Sequence, residues 1–138
     1  MNPIKKTFII IVNYNSWSDT IICLEDLKQK KWDNFEVVLV DNCSTDNSIC
    51  KIESYLNNKE KNFILNNFPK WKHYGNTNQN LPIYFIKAES NKGFASGNNI
   101  GVKFALSKSS KPCYIWVLNN DTVVDNNSLL NLISFFES

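Results

Sequence analysis

The fold of this chain follows from residues 113–124, which read CYIWVLNNDTVV. The apolar half, from Cys113 to Leu118, has the aromatic and branched residues typical of a strand buried on both faces. A polar tip with one carboxylate, Asp121, follows this half, and residues 125–128 are typical of a helix start. Because open α/β sheets bind ligands at the carboxyl ends of their strands, the stretch predicts a ligand site near Asp121.

The composition narrows the class of protein. The 138 residues are 43% hydrophobic and 20% charged, which is typical of one ordinary globular domain. Fifteen basic and 13 acidic residues nearly balance, so we expect no nucleic-acid partner. One histidine and four cysteines without a C-x-x-C pair disfavour a zinc site and indicate reduced thiols.

No apolar run is long enough for a signal peptide or a transmembrane segment. The run from Phe8 to Val12 is broken at once by Asn13. We therefore expect a cytoplasmic protein with no membrane span. Such a protein can still associate peripherally with the inner face of the membrane.

Three further apolar runs predict buried strands: Thr7–Val12, Phe35–Val40 and Ile83–Ile86. Helical spacing of apolar residues follows each of them, which predicts a mainly parallel α/β sheet with helices on both faces. The first helix is expected to start at a Ser18 or Asp19 cap. The helix faces predicted to be apolar comprise Trp17, Ile21, Leu24 and Leu27; Ile49, Ile52 and Leu56; Phe94, Asn98, Val102 and Ala105; and Leu129, Leu132, Ile133 and Phe136.

Residues 57–80 interrupt this alternation. They are rich in Asn and Lys but retain aromatic residues such as Trp71 and Tyr74. We interpret them as an excursion with a partly packed aromatic face, longer than a connection requires. The segment either covers a site or is a surface insertion.

Polar tips follow the predicted strands at Asn13–Asn15, Asp41–Asn42, Asn91–Gly93 and Asn119–Asp121. Parallel strands bring all four tips to one edge of the sheet. No G-x-G-x-x-G follows the first strand and no P-loop motif occurs in the chain. The tips therefore predict a ligand site that does not use either of those phosphate-binding loops.

A nucleotide would suit this edge, with Tyr14 near the base, Asp41 bonded to the base or ribose, and Asp121 near the phosphates. Because Asp121 and a diphosphate repel each other, we expect Mg²⁺ or Mn²⁺ between them. Each residue also has a structural interpretation. Asp41 and Asp121 could cap the helices that follow them, as could Asp46 and Asp125, and Tyr14 could be a half-buried turn residue.

The motifs resemble, in order, those of the family-2 glycosyltransferases with the GT-A fold. The four matching segments are Phe8–Asn15, Val38–Ser48, Asn91–Gly101 and Trp116–Thr122. The forms N-x-G-F-A-x-G-N-N and L-N-N-D are similar to the rhamnosyltransferase-like branch. The resemblance implies a Rossmann-like fold and the transfer of a sugar, with inversion and metal assistance, from a nucleoside diphosphate donor linked to UDP, dTDP or GDP.

The resemblance also implies roles for individual residues. Val12 and Tyr14 would line the base pocket, Asp41 would contact the base or ribose, and Asn91 would lie near the donor. Asn119 and Asp121 would occupy the family's D-x-D position, with Asp121 as the metal ligand. Asn119 departs from that motif because an amide supplies no charge, so we expect modest metal affinity from the protein alone.

The general base and most of the acceptor pocket come, in this family, from sequence beyond the D-x-D strand. Seventeen residues follow Asp121 here, so no base can be assigned before Ser138. We therefore expect residues 1–138 to be one nucleotide-sugar-binding domain of a longer transferase in polysaccharide biosynthesis, acting on a glycan or lipid-linked acceptor. The alternative is a non-catalytic nucleotide-binding or interaction module. A nucleotidyltransferase is disfavoured because residues 13–16 are neither glycine-rich nor basic.

Overall fold

The computed structural model describes residues 4–56, 60–63, 71–75 and 81–138. Its described part forms a mixed α/β structure in which helices and strands alternate over most of the chain. The strands are β1 (Thr7–Asn13), β2 (Phe35–Asp41), β3 (Glu60–Phe63), β4 (Trp71–Gly75), β5 (Pro82–Lys87) and β6 (Tyr114–Val117). The helices are α1 (Trp17–Lys28), α2 (Ser48–Leu56), α3 (Phe94–Lys108) and α4 (Ser128–Glu137).

The strands form one six-stranded sheet in the order β3-β4-β5-β2-β1-β6. β5, β2, β1 and β6 are parallel to one another, whereas β4 pairs antiparallel with both β3 and β5. The parallel, Rossmann-like sheet predicted from the sequence is therefore confirmed. Along the chain, β2 is placed on one side of β1 and β5 next to β2. β6 is then placed on the other side of β1. The strand order thus reverses at β1, and α/β sheets bind ligands outside the carboxyl ends of the strands at such a reversal.

Helices cover both faces of the sheet, as the sequence predicts. Alternate residues of β1 point to opposite sides, so Ile9 and Ile11 pack with α1, α2 and α4, while Ile10 and Val12 pack with α3. All four side chains are buried. Their burial on both sides explains why this strand reads as a continuous β-branched run rather than an alternating one.

Two glycines let α3 approach the sheet closely, as expected. A Cβ added at Gly101 would lie 2.5 Å from Ile10 Cγ2, and one at Gly97 would lie 3.1 Å from Val12 Cγ1. The Ile10 methyl belongs to a β-branched side chain with little rotamer freedom, so it cannot yield easily. α3 therefore depends on the absence of a side chain at Gly101.

Gly101→Ala is expected to destabilise the protein by about 1–3 kcal/mol because the core becomes overpacked. This outcome opposes the gain of about 1 kcal/mol that alanine normally brings to a helix interior. Urea unfolding would measure the change. Ile10→Ala removes the methyl that the new Cβ would meet, so the double variant should lose less stability than the two single losses added together. A Gly101→Ala protein as stable as the parent would contradict this packing argument.

The prediction that residues 113–118 form a strand buried on both faces is wrong. β6 is shorter, its residues are half-buried, and Val117 is 46% exposed. The physical reason is its place at the end of the sheet, where among the described strands only β1 pairs with it. Its aromatic composition therefore reflects an apolar edge rather than a central position.

Two predicted helix details are also wrong. α1 begins one residue before Ser18, with Ser16 at the N-cap position and bonded to the Asp19 carboxylate at 2.8 Å. On α3 the buried face holds Gly97, Asn98, Gly101, Phe104 and Ala105, whereas Phe94 is 56% exposed because it lies at the first position of the helix. On α4 the predicted apolar residues do share one face, which lines a groove beside β6, although only Leu129 of this face is buried.

The excursion at residues 57–80 continues the sheet where the structure describes it. β4 pairs with β5, and Trp71 and Tyr74 are buried at 3% exposure each, so the packed aromatic face is confirmed for these two residues. The antiparallel strands were not predicted. The remaining aromatic and apolar residues of the excursion lie outside the part whose side chains are described.

Candidate functional site

The carboxyl ends of the parallel strands meet at one edge of the sheet. Asn13 and Asp41 are register partners at the ends of β1 and β2. The backbone continues this contact, since Asn42 N donates to Asn13 O at 2.9 Å and Ala88 N donates to Asp41 O at 2.9 Å. The tips after β1, β2 and β5 are thus joined directly, as the strand order predicts.

Asp41 is a buried anchor of this edge, with no exposed surface. Its Oδ1 accepts hydrogen bonds from Asn13 Nδ2 at 2.9 Å and from Ser44 Oγ at 2.7 Å. Its Oδ2 accepts from Ser44 N at 2.9 Å. A carboxylate offers roughly four acceptor positions, so the turn occupies most of them and leaves one on Oδ2.

The network extends from Asp41 toward β6. Thr20 Oγ1 on α1 donates to Asn13 Oδ1 at 2.7 Å, and Asn120 Nδ2 donates to Thr20 Oγ1 at 3.0 Å. Asn13 and Thr20 are fully buried. One chain of side-chain bonds therefore joins Asp41 to the tip that carries Asp121.

The loop after β6 lies along α1. The Cys23 thiol donates weakly to Asn119 O at 4.0 Å, and Asp26 Oδ2 accepts from Val124 N at 3.0 Å. Further on, Lys30 Nζ donates to Asn126 Oδ1 at 3.2 Å, and Trp32 Nε1 donates to Asn126 O at 2.6 Å. Burial raises the pKa of Cys23 to about 11, with the Asp26 carboxylate adding to the effect, so this thiol stays protonated at neutral pH.

A second cluster of amides lies on the other side of β2. Asn42 Nδ2 donates to Asn91 Oδ1 at 3.2 Å and to Gly93 O at 3.0 Å. Asn91 Oδ1 also accepts from Gly93 N at 2.8 Å. Gly93 has φ of 97°, a conformation that favours glycine, and it precedes the first turn of α3. Asn91 therefore shapes the entry to α3.

The tip after β1 is exposed and held in a defined shape. Asn15 has φ of 50°, and its Oδ1 accepts from Thr45 N at 2.8 Å and from Asp46 N at 3.1 Å. The preceding residue, Tyr14, is 45% exposed. Its ring is thus presented to solvent beside the turn that contains Asp41.

Asp121 is exposed beside this network. Within the described part of the chain, its carboxylate accepts no hydrogen bond and forms no ion pair. The same part contains no group of three or more His, Cys, Asp and Glu residues that could hold a metal. Asp121 could therefore bind a cation as a single carboxylate ligand that needs oxygen atoms from elsewhere.

The structure separates Asp121 and Asp41 from Asp46 and Asp125, which form turns at the starts of helices. Asp125 Oδ1 accepts from Asn127 N at 2.8 Å at the start of α4, and Asp46 Oδ1 accepts from Ser48 N at 2.8 Å at the start of α2. Asp121 lies before the α4 start, and Asp41 holds its own turn instead of a helix end. Asp46 and Asp125 thus form turns immediately before α2 and α4, and among the described residues no side chain caps α4 at its N-cap residue, Asn127.

The other candidate residues are distributed around the edge. Val12 is buried beneath α3, where it contacts the helix at Gly97, while Asn91 and Asn119 are exposed. Sequence reasoning placed Asn13, Asn42 and Asn120 in the polar tips but gave them no part in joining the tips. It missed the connections made by Thr20 and Ser44. Asn13 and Asn42 had a usable signal, since each follows an apolar strand directly. Thr20 had none, because a threonine within a helix has no distinguishing pattern.

Comparison with known sequences supplies a family match. A family model described as glycosyl transferase family 2 matches residues 8–138. An uncharacterised glycosyltransferase of Haemophilus influenzae is 26% identical over 113 residues, which cover 82% of this chain and 28% of the relative. The uncharacterised glycosyltransferase YibD of Escherichia coli is 34% identical over 58 residues, covering 42% of this chain and 17% of YibD. The chain thus spans less than a third of these relatives.

Solved structures share the fold. The S. aureus protein TarS, residues 1–349 in complex with UDP-GlcNAc, has a TM-score of 0.65 at 21% identity, covering 96% of this chain and 31% of that one. The mannosyltransferase PcManGT of Pyrobaculum calidifontis, in complex with GDP-Man and Mn²⁺, has a TM-score of 0.69 at 14% identity, covering 99% and 34%. Among the described residues, no helix is both long and apolar enough to cross a membrane.

Proposed function

This chain belongs to glycosyltransferase family 2, and from this premise we propose that it is the donor-binding part of a sugar-transferring enzyme. The donor is a nucleoside diphosphate sugar, and the acceptor is a hydroxyl group of a glycan or lipid-linked molecule. The proposal is supported by the solved structures of similar fold, one of which is in complex with UDP-GlcNAc and another with GDP-Man and Mn²⁺.

One observation carries the proposal. Side-chain hydrogen bonds join the ends of β1, β2 and β6 into a single edge through Asp41, Asn13, Thr20 and Asn120. The same edge presents an exposed aromatic ring and an exposed carboxylate, which are groups that recognise a base and a metal–phosphate unit. A purely structural network would not require either group in solvent.

The donor would lie across this edge. We assign the base to Tyr14 and to the turn that Asp41 holds. The Asp41 carboxylate has no exposed surface, so its proposed bond to the base or ribose requires this turn to open when the donor binds. Val12 supports this pocket from below. Asn91 and Asn119 supply amide groups to the sugar and ribose side, and the turns that they shape orient the donor.

A divalent cation would bind at Asp121. Mg²⁺ and Mn²⁺ favour carboxylate and phosphate oxygens and retain several waters, which suits one exposed carboxylate beside a diphosphate. When bound, such a cation stabilises the negative charge of the departing diphosphate. Asn119 adds no charge, so the affinity for the cation alone should be low and should rise when the nucleotide is present.

We propose that transfer proceeds with inversion, by direct attack of the acceptor hydroxyl at the anomeric carbon. The residues of this chain bind and orient the donor, while the base that removes the hydroxyl proton is unassigned among residues 1–138. We further propose the rhamnosyltransferase-like branch, a role in polysaccharide biosynthesis, and a cytoplasmic location that includes the inner face of the membrane. These finer assignments rest on the resemblance of the sequence motifs to those of the family.

Calorimetric titration with UDP, dTDP and GDP, each with and without Mn²⁺, tests the proposal. We expect one nucleotide to bind, with about tenfold or higher affinity when Mn²⁺ is present, because the cation removes the repulsion between Asp121 and the diphosphate. We expect slow or no sugar transfer by the 138-residue chain alone. Absence of heat with all three nucleotides, from protein shown to be folded, would contradict donor binding. Binding without any transfer in the full-length enzyme would instead favour a non-catalytic module.

A further inference from the structure

Helix α1 carries a row of side chains that face the loop after β6. Thr20, Cys23 and Asp26 are spaced three residues apart, so they lie on one side of the helix. Each of them bonds to a different point of the loop, at Asn120, Asn119 and Val124 respectively. Lys30 extends the row by bonding to the Asn126 side chain and to Asp26.

Asp121 lies between two of these attachments. On one side, the Asn120 side chain donates to Thr20 Oγ1 at 3.0 Å. On the other side, Val124 N donates to Asp26 Oδ2 at 3.0 Å. The backbone that bears Asp121 is thus fixed before and after it, while its own carboxylate stays unbonded to the described residues. Such fixing lowers the entropy cost of binding a ligand at this position.

The Thr20 hydroxyl also connects the loop that carries Asp121 to the rest of the edge. Thr20 Oγ1 also donates to Asn13 Oδ1 at 2.7 Å, and Asn13 Nδ2 donates to Asp41 Oδ1 at 2.9 Å. Thr20 is completely buried, so water cannot replace its bonds readily. A single buried hydroxyl therefore links the turn proposed to bind the nucleoside to the loop proposed to bind the cation.

We infer that Thr20 and Asp26 are positioning residues, which hold the Asp121 loop at a set distance from the Asp41 turn so that one donor can contact both. The inference rests on the proposed function for its ligand, but the holding of the loop by α1 is a property of the protein alone. Neither residue is assigned contact with the donor.

Thr20→Val tests this inference because valine keeps the shape and removes the hydroxyl. In the absence of ligand, we expect amide hydrogen exchange at residues 119–122 to become about tenfold faster, since the loop loses one attachment. With the nucleotide that binds the parent protein, the gain in affinity on adding Mn²⁺ should fall by about fivefold or more. The affinity without Mn²⁺ should change by less than about twofold, because the Asp41 turn retains its bonds to Ser44.

Two variants serve as controls. Thr7→Val makes the same change at a buried threonine near the opposite end of β1, where the hydroxyl has no hydrogen-bond partner among the described residues. It should leave both the exchange at residues 119–122 and the Mn²⁺ effect as in the parent. Thr20→Ser restores the hydroxyl and should recover both.

The outcomes are distinguishable. Unchanged exchange at residues 119–122 in folded Thr20→Val protein would overturn the inference, as would faster exchange with an undiminished Mn²⁺ effect. If the parent binds none of UDP, dTDP and GDP, the proposed function fails. The exchange measurement then decides on its own whether α1 holds the loop.

Discussion

Asp121→Ala is expected to remove the gain in nucleotide affinity that Mn²⁺ provides, with little change in stability. The carboxylate is exposed and bonded to none of the described residues, so its removal should alter the free energy of unfolding by less than about 0.5 kcal/mol. If Asp121 is the protein ligand of the cation, nucleotide affinity in the presence of Mn²⁺ should fall by the whole of that gain, about tenfold or more, or about 1.4 kcal/mol or more. Calorimetry and urea unfolding on the same preparation would measure the two quantities.

Asp125→Ala is the matched control for this experiment. Asp125 lies four residues further on and accepts a hydrogen bond from Asn127 N at the start of α4. Its loss should cost about 1 kcal/mol of stability, the net value of one hydrogen bond, and should leave the Mn²⁺ effect intact. If Asp121→Ala behaved like this control, Asp121 would be a structural residue and the metal assignment would be wrong.

Asp41→Ala is expected to cause the largest loss of stability among single changes at this edge, about 3 kcal/mol. The substitution removes the acceptor of Ser44 N and Ser44 Oγ, and it leaves Asn13 Nδ2 only its longer bond to Ser44 Oγ at 3.4 Å. Native proteins of this size are stable by only about 5–15 kcal/mol, so the urea midpoint should move clearly. Equilibrium unfolding followed by circular dichroism would measure it.

Asp46→Ala provides the comparison for Asp41→Ala. Asp46 is exposed in the same turn and accepts a hydrogen bond from Ser48 N at 2.8 Å. Its removal should cost about 1 kcal/mol, the usual value for a helix-start residue. Equal losses for the two variants would show that the Asp41 network adds no stability beyond an ordinary turn.

The periodicity of the sequence was sufficient to predict most of the fold. The β-branched runs at Thr7–Asn13 and Phe35–Asp41 are buried on both faces because helices cover both sides of their positions in the sheet. The same composition misled at β6, whose burial depends on its place in the strand order. Local sequence does not encode that place, and the short antiparallel strands β3 and β4 have little pattern of their own.

The site was predictable only in outline. Polar residues follow each apolar strand directly in the sequence, so Asp41, Asn91 and Asp121 could be identified along the chain. Their functions within the edge could not, because burial turns Asp41 into the anchor of a network while Asp121 remains exposed. The partners that decide this difference, Thr20 and Asn13, act through contacts between distant parts of the chain.

The bond that holds the Asp41 turn and the bond that holds the Asp121 loop differ in how far apart their residues lie along the chain. Asn13 and Asp41 are 28 positions apart, whereas Thr20 and Asn120 are 100 positions apart. Closing the longer loop costs more chain entropy, and contacts of long sequence separation slow folding. We therefore expect the edge to form in a fixed order during synthesis. The Asp41 turn can assemble while the chain is still short, but the carboxylate of Asp121 has no fixed location until β6 has joined β1.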